Sequence, residues 1–153
     1  MFAHRLSETC GIEVKEAQSG DLLLAGRALI CPGNRHMRVR RMTLGDVAVL
    51  GDDARVNGHR PSADVLFRSV AQEYGSRTVA LIMTGMGEDG AEGIKAIKDA
   101  GGLAVAQDEA SSVVFGMPKV AIERGHVNRV VALDAMANLL QAQCALQRAS
   151  SAV

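Results

Sequence analysis

Aromatic residues are scarce in this chain. It has no tryptophan, one tyrosine and three phenylalanines, which leaves no aromatic surface on which nucleic-acid bases could stack. An excess of one charge is missing too. Seventeen basic and seventeen acidic side chains cancel, so there is no electrostatic footprint for nucleic acid or an anionic membrane. Cysteine is limited to Cys10, Cys31 and Cys144, an odd number, widely spaced and without a C-x-x-C pair. That pattern fits three free thiols in a reducing cytosol and speaks against a disulfide framework or a metal centre. No apolar run is long enough to cross a bilayer, and the opening "MFAHRLSETC" is too polar for a signal peptide.

What remains is ordinary globular material. The 153 residues are 48% hydrophobic and 22% charged, enough for one domain with a core. The spacing of Phe2, Leu6 and Cys10 predicts a short helix over 2–9, ended by Gly11. "IEVKEA" (12–17) and "RALICPG" (27–33) read as strands, the second stopped by Pro32-Gly33. "MRVRRM" and "VAVL", split by "TLGD", form a hairpin pattern. Ser62 is a suitable N-cap for a helix whose inward stripe is Val65, Leu66, Ser69, Val70 and Tyr74, with Asp64 at its positive end and Gly75 closing it. Residues 79–84 read as a strand buried on both faces, followed by a helix over 91–100 with Ile94 and Ile97 inward. "LAVAQ" is the next strand. Pro118 suits the first turn of a helix closed by Gly125, "VNRVVAL" is a short strand, and Asp134 is placed to cap a last helix ending near Gln147. The order predicts an α/β domain with a largely parallel, Rossmann-like sheet, flanking helices and one antiparallel hairpin. Residues 1–147 form the domain and 148–153 a frayed tail.

In open parallel sheets, chemistry gathers where strands end at their carboxyl side. Three loops qualify: "TGMGEDG" (84–90), "QDEASSVVFGMP" (107–118) and "VNGHRPS" (56–62). In the first, glycines allow a tight turn and expose N–H groups near a helix N-terminus, a setting that suits an anion or an oxyanion. Its carboxylate, Asp89, has two readings, a helix cap or a fixed negative charge in a reactive site. His36 and His59 read as hydrogen-bonding histidines, and His126 as a surface residue near a helix end. Ser111-Ser112 lacks a G-x-S-x-G elbow and reads as turn structure. Met86 and Met117 read as apolar contacts lining a turn.

Several segments taken together carry a resemblance. "CPGNRHM", "HRPSADVLF", "LIMTGMGEDGAEG" and "AQDEASSVVFGMPKVAIERG" resemble, in order, the catalytic domain of the chemotaxis protein-glutamate methylesterases, the CheB family. The resemblance covers about residues 2–140. It implies an α/β esterase that hydrolyses glutamyl methyl esters on the cytoplasmic helices of chemoreceptors, with glutamine deamidation in many members. It also implies a Ser–His–Asp triad without cofactor or metal. The triad acid of the family falls on Asp89, and the oxyanion donor falls on the backbone N–H of Met86. His59, Arg60, Phe115 and Met117 then lie where a substrate groove is expected.

The resemblance also implies a gap. The family's nucleophilic serine and basic histidine sit in turns after its first two strands, ahead of the helix that "FAHRL" resembles. No segment here matches either turn, and His36 belongs to a later family segment. The expectation is a partial domain lacking the family's first strands, with the nucleophile and base, and any receiver domain, upstream of Met1. Two alternatives are a non-catalytic receptor-binding or regulatory fragment and a small-ligand module built on "GMGEDG".

Overall fold

A computed structural model describes residues 1–151. Helix α1 (Phe2–Thr9) leads into β1 (Glu13–Glu16), which pairs in parallel with β2 (Arg27–Ile30). An antiparallel pair follows, β3 (His36–Arg40) with β4 (Val47–Gly51). Helix α2 (Ala63–Tyr74) then connects to β5 (Val79–Ile82), α3 (Ala91–Asp99), β6 (Leu103–Gln107), α4 (Met117–Glu123), β7 (Arg129–Val131) and α5 (Met136–Ser151). Strands β5, β6 and β7 form a parallel sheet with β6 in the centre.

The central position of β6 explains its composition. Ala104, Val105, Ala106 and Gln107 are all inaccessible to solvent. Small side chains at Ala80, Ala104, Ala106 and Ala121 bring helices close to the sheet, and Ile82, Ile94 and Ile97 fill the space between. A second cluster, Ala17, Met37 and Ala48, lies under the β3–β4 pair. Helix α2 bridges the two. Leu66 packs on the second cluster while Phe67, Val70 and Ala71 pack on the first. Ser69, expected on the inward stripe, is held there because its Oγ accepts the Val39 N–H at 3.0 Å.

The fold follows the predicted order of elements, with corrections. The strand expected over 79–84 ends at Ile82, and its exposure alternates, because one face packs on helices and the other is half open. Met83 and Thr84 are exposed. In β1 only Val14 is buried. Asp134 does not directly precede the last helix. It lies in a 3-10 turn at Leu133–Ala135, and α5 starts after it and continues to Ser151, past the expected end near Gln147. Residues 152–153 of the expected tail lie outside the described residues.

Candidate active site

The loop after β5 has a reason for each of its glycines. Gly87 and Gly90 have φ of 90° and 92°, values open to glycine at little cost. They bracket Glu88 and Asp89 and turn the two adjacent acids in different directions. Glu88 is exposed and accepts from Arg124 Nη2 at 2.6 Å, while Glu92 accepts from Nη1 of the same guanidinium at 2.9 Å. Asp89 points inward and is only 7% exposed.

Asp89 does cap a helix, but not the one that follows it. The N-cap of α3 is Gly90, with no side-chain capping bond. Asp89 reaches the start of α2, where its Oδ2 accepts the Ala63 N–H at 2.6 Å and its Oδ1 accepts the Ser62 hydroxyl at 2.5 Å. Asn57 Nδ2 donates to Asp64 Oδ2 at 2.8 Å and lies 3.5 Å from Asp89 Oδ1. Asp64 repeats the arrangement in reverse. Buried in the first turn of α2, its Oδ1 accepts the Gly93 N–H of α3 at 2.6 Å. The start of α3 is thus satisfied by a carboxylate of α2, and the start of α2 by a carboxylate of the loop leading into α3, which meets the need of orphan N–H groups for acceptors.

Met86 presents a different group. Gly116 and Met117 both donate their N–H to the Gly85 carbonyl, at 3.1 and 2.8 Å. In a trans peptide, C=O and N–H point in opposite directions. Fixing the Gly85 carbonyl inward therefore turns the Met86 N–H outward, and among the described residues no backbone acceptor engages it. The two loops are pressed together, since a methyl group on Gly116 would stand 2.6 Å from the Gly85 oxygen and 3.1 Å from the Gly87 nitrogen. Below them Gln107, fully buried, accepts the Thr84 N–H at 2.8 Å and donates to the Ser111 carbonyl at 2.8 Å. The Met86 side chain is 82% exposed, which corrects the reading of it as an apolar turn contact.

Ser62, His36 and Asp89 stand together yet do not form a triad. His36 is buried, and both of its ring nitrogens are engaged. Nδ1 accepts the Ser62 backbone N–H at 3.2 Å, and Nε2 donates to the Ala54 carbonyl at 2.9 Å. Neither nitrogen meets the Ser62 hydroxyl, which donates to Asp89 instead. A serine that is 1% exposed, with no base at its oxygen, is not an activated nucleophile. The Cys31 thiol is no substitute, because burial pushes its pKa up and keeps it protonated.

The remaining candidates fall on both sides of the loop. His59 follows a tight Asn57-Gly58 turn with positive φ at both residues, and its exposed ring faces Gly87, with Nε2 at 4.0 Å from where a methyl there would stand. Phe115 pairs in parallel with Gly85. The Met117 side chain runs under Gly85, its sulfur 2.5 Å from a methyl built at that position. The Arg60 guanidinium is committed to Asn34 Oδ1 at 2.9 Å and to the carbonyls of Asp52 and Asp53 at 2.8 and 3.1 Å, so it braces loops and does not face the site. His126 is not a free surface residue. Its Nδ1 donates to the Ala91 carbonyl at 2.8 Å, which ties α4 to the start of α3. Ser111 and Ser112 serve the turn, donating to Asp108 Oδ1 and to the Asp108 carbonyl at 2.5 and 2.6 Å. A cavity of about 310 Å³, lined by Cys31, Met37, Pro61, Ser62, Leu66 and Asp89 among others, opens beside the buried carboxylate. Asn57 had a legible signal in its Asn-Gly turn. Asp64 was legible as an acid at the positive end of α2 but not as the acceptor for α3, and Gln107 had no signal beyond a polar residue at the end of an apolar strand.

The chain is similar to known proteins over most of its length. Residues 1–140 match the family model described as CheB methylesterase. A protein-glutamate methylesterase/protein-glutamine glutaminase of Koribacter versatilis (strain Ellin345) is 80% identical over 151 residues, which cover 99% of this chain and 42% of the relative. One from Anaeromyxobacter dehalogenans (strain 2CP-C) is 52% identical over 136 residues, covering 89% of this chain and 38% of the relative. The crystal structure of the Thermotoga maritima CheB methylesterase catalytic domain superposes with a TM-score of 0.87 at 36% identity, covering 90% of this chain and 73% of that one. The chain spans less than half the length of the curated relatives it matches. An α/β fold of this topology, an 80% identical relative and a family match over nearly the whole length lead to one conclusion: the chain belongs to the CheB methylesterase family.

Proposed function

We propose that this chain supplies the acid and the oxyanion donor of a protein-glutamate methylesterase, whose nucleophilic serine and basic histidine come from residues outside this sequence. The reading rests on one observation above all. A single loop carries a buried carboxylate whose two oxygens are both held by donors, and an N–H turned outward by the fixing of its own peptide. In a serine esterase those are the two fixed electrostatic elements. The carboxylate orients an imidazole and stabilises the imidazolium formed as serine attacks, and the N–H receives the developing oxyanion. The substrate is a glutamyl methyl ester on the cytoplasmic helices of a chemoreceptor, and hydrolysis releases methanol. Amide hydrolysis at glutamine follows the same steps with ammonia as leaving group. No step calls for a metal or cofactor. His59, Phe115 and the Met117 backbone lie beside the loop, where the substrate segment would pass. A cytoplasmic enzyme, joined in full length to a receiver domain, fits this substrate.

A second reading, a non-catalytic receptor-binding fragment, is favoured by the internal engagement of His36 and Ser62. One pair of assays separates the two. The chain by itself, incubated with radiolabelled methylated receptor membranes, is expected to release methanol at no more than background. Fused behind the serine- and histidine-bearing segment of a relative, it is expected to turn over, and Asp89→Asn to lower that rate by roughly 10⁴. A loss below about tenfold would reduce Asp89 to a helix cap, since a cap alone contributes about 1 kcal/mol to stability. Turnover by the isolated chain, abolished by Asp89→Asn, would reveal a nucleophile within residues 1–153.

A further inference from the structure

We infer that Ser62 is a positioning residue, whose hydroxyl fixes the plane in which Asp89 offers its carboxylate; the inference rests on the methylesterase reading above. A serine at a helix N-cap ordinarily accepts an N–H from the second or third residue of its own helix. Ser62 has the extended backbone of an N-cap, with φ −119° and ψ 133°, yet makes no such bond. Its hydroxyl donates instead to Asp89 Oδ1 at 2.5 Å, and the next residue's N–H donates to Oδ2 at 2.6 Å.

Two donors from consecutive residues therefore grip the two oxygens of one carboxylate. A carboxylate held by one donor can still swing about its terminal torsion, which is broad and nearly two-fold. Gripped at both oxygens it cannot rotate without losing one of the bonds. Ser62 is itself anchored. Its backbone N–H donates to His36 Nδ1 at 3.2 Å, and His36 is tied through Nε2 to the Ala54 carbonyl. The line Ala54–His36–Ser62–Asp89 thus runs from a loop after β4 to the loop after β5, with the last three residues buried. A carboxylate oxygen has about two acceptor positions. The Ala63 N–H takes one at Oδ2, and the cavity lined by Ser62, Ala63 and Asp89 opens beside the carboxylate. An imidazole N–H entering there meets an acceptor whose direction Ser62 has set.

The test uses the fused enzyme and the chain alone. In the fusion, Ser62→Ala is expected to lower kcat about ten- to a hundredfold, the scale of a small misplacement in an active site, with KM unchanged. Ser62→Thr, which keeps the hydroxyl, is expected to recover most of that loss. A Ser62→Ala fusion with wild-type kcat would overturn the inference and leave the methylesterase reading standing. A fusion inactive even with Ser62 present would count against that reading, and the chain alone then decides. There, proton NMR is expected to show a slowly exchanging hydroxyl resonance that disappears in both Ser62→Ala and Asp89→Asn while the amide spectrum stays folded. Its absence from the wild-type chain would overturn the Ser62–Asp89 grip directly.

Discussion

Gly93 shows how much a single hydrogen atom decides here. A methyl group at that position would stand 2.8 Å from Asp64 Cα and 2.8 Å from Phe67 Cβ, closer than packed atoms come. Alanine normally favours a helix interior over glycine by up to about 1 kcal/mol. Overpacking against backbone costs about 1–3 kcal/mol, so Gly93→Ala is expected to destabilise the domain despite its better helix propensity. Urea unfolding would show a lower midpoint at unchanged slope. Tyr74 makes stability depend on pH. Burial, and then its hydrogen bond to Asp46, push the phenol up from 10.0 to about 12. The folded state therefore holds this proton more tightly than the unfolded state. The associated stability is complete below pH 10 and is lost as pH rises through about 12. Unfolding midpoints measured across that window should fall in the wild type, and Tyr74→Phe should remove this part of the slope.

At the scale of elements, the crossed carboxylates of α2 and α3 matter most. Asp64 belongs to α2 and satisfies the first turn of α3, and Asp89, in the loop just before α3, satisfies the first turn of α2. Removing Asp64 strands the buried Gly93 N–H, at a cost of about 1–3 kcal/mol. Asp64→Ala leaves Gly93 N–H without its acceptor and is expected to lower Tm by several degrees, about 2–4 °C per kcal/mol for a domain of this size. Because the cross-caps hold α2 against α3, calorimetry should show one cooperative transition at the lower temperature. A separate early melting of α2 would mean that the two helices are not coupled through these bonds.

For the whole molecule, exposed surface is the informative quantity. The accessible area is 9060 Å², whereas a compact monomer of 16.1 kDa exposes about 7,400 Å². Among the described residues, β1 pairs only with β2 and β5 only with β6. Each therefore keeps an edge of unpaired backbone groups, and such edges template association. The isolated chain is expected to self-associate in a concentration-dependent way, and the serine- and histidine-bearing segment added in the fusion should suppress this. Sedimentation velocity over a tenfold concentration range, with and without that segment, checks it. A monomer at every concentration would mean that the edges are covered by the chain itself.

The linear sequence determined the order of elements, because helix and strand periodicities and glycine stops are local properties. Ile94 and Ile97 faced inward as their spacing required, Pro118 entered the first turn of α4, and the glycines around Asp89 marked a tight loop at a strand end. It also carried, through the resemblance of whole segments, the family. It could not tell which helix Asp89 caps, since the partner N–H lies 26 residues away along the chain. Nor could it show that Ser62 donates to a carboxylate in place of capping its own helix, or that His36 has both nitrogens engaged. The outward turn of the Met86 N–H depends on two donors from the loop after β6. Strand ends and turns follow from neighbours in sequence, whereas the direction of a hydrogen bond follows from what packing brings near, and only the tertiary structure decided that.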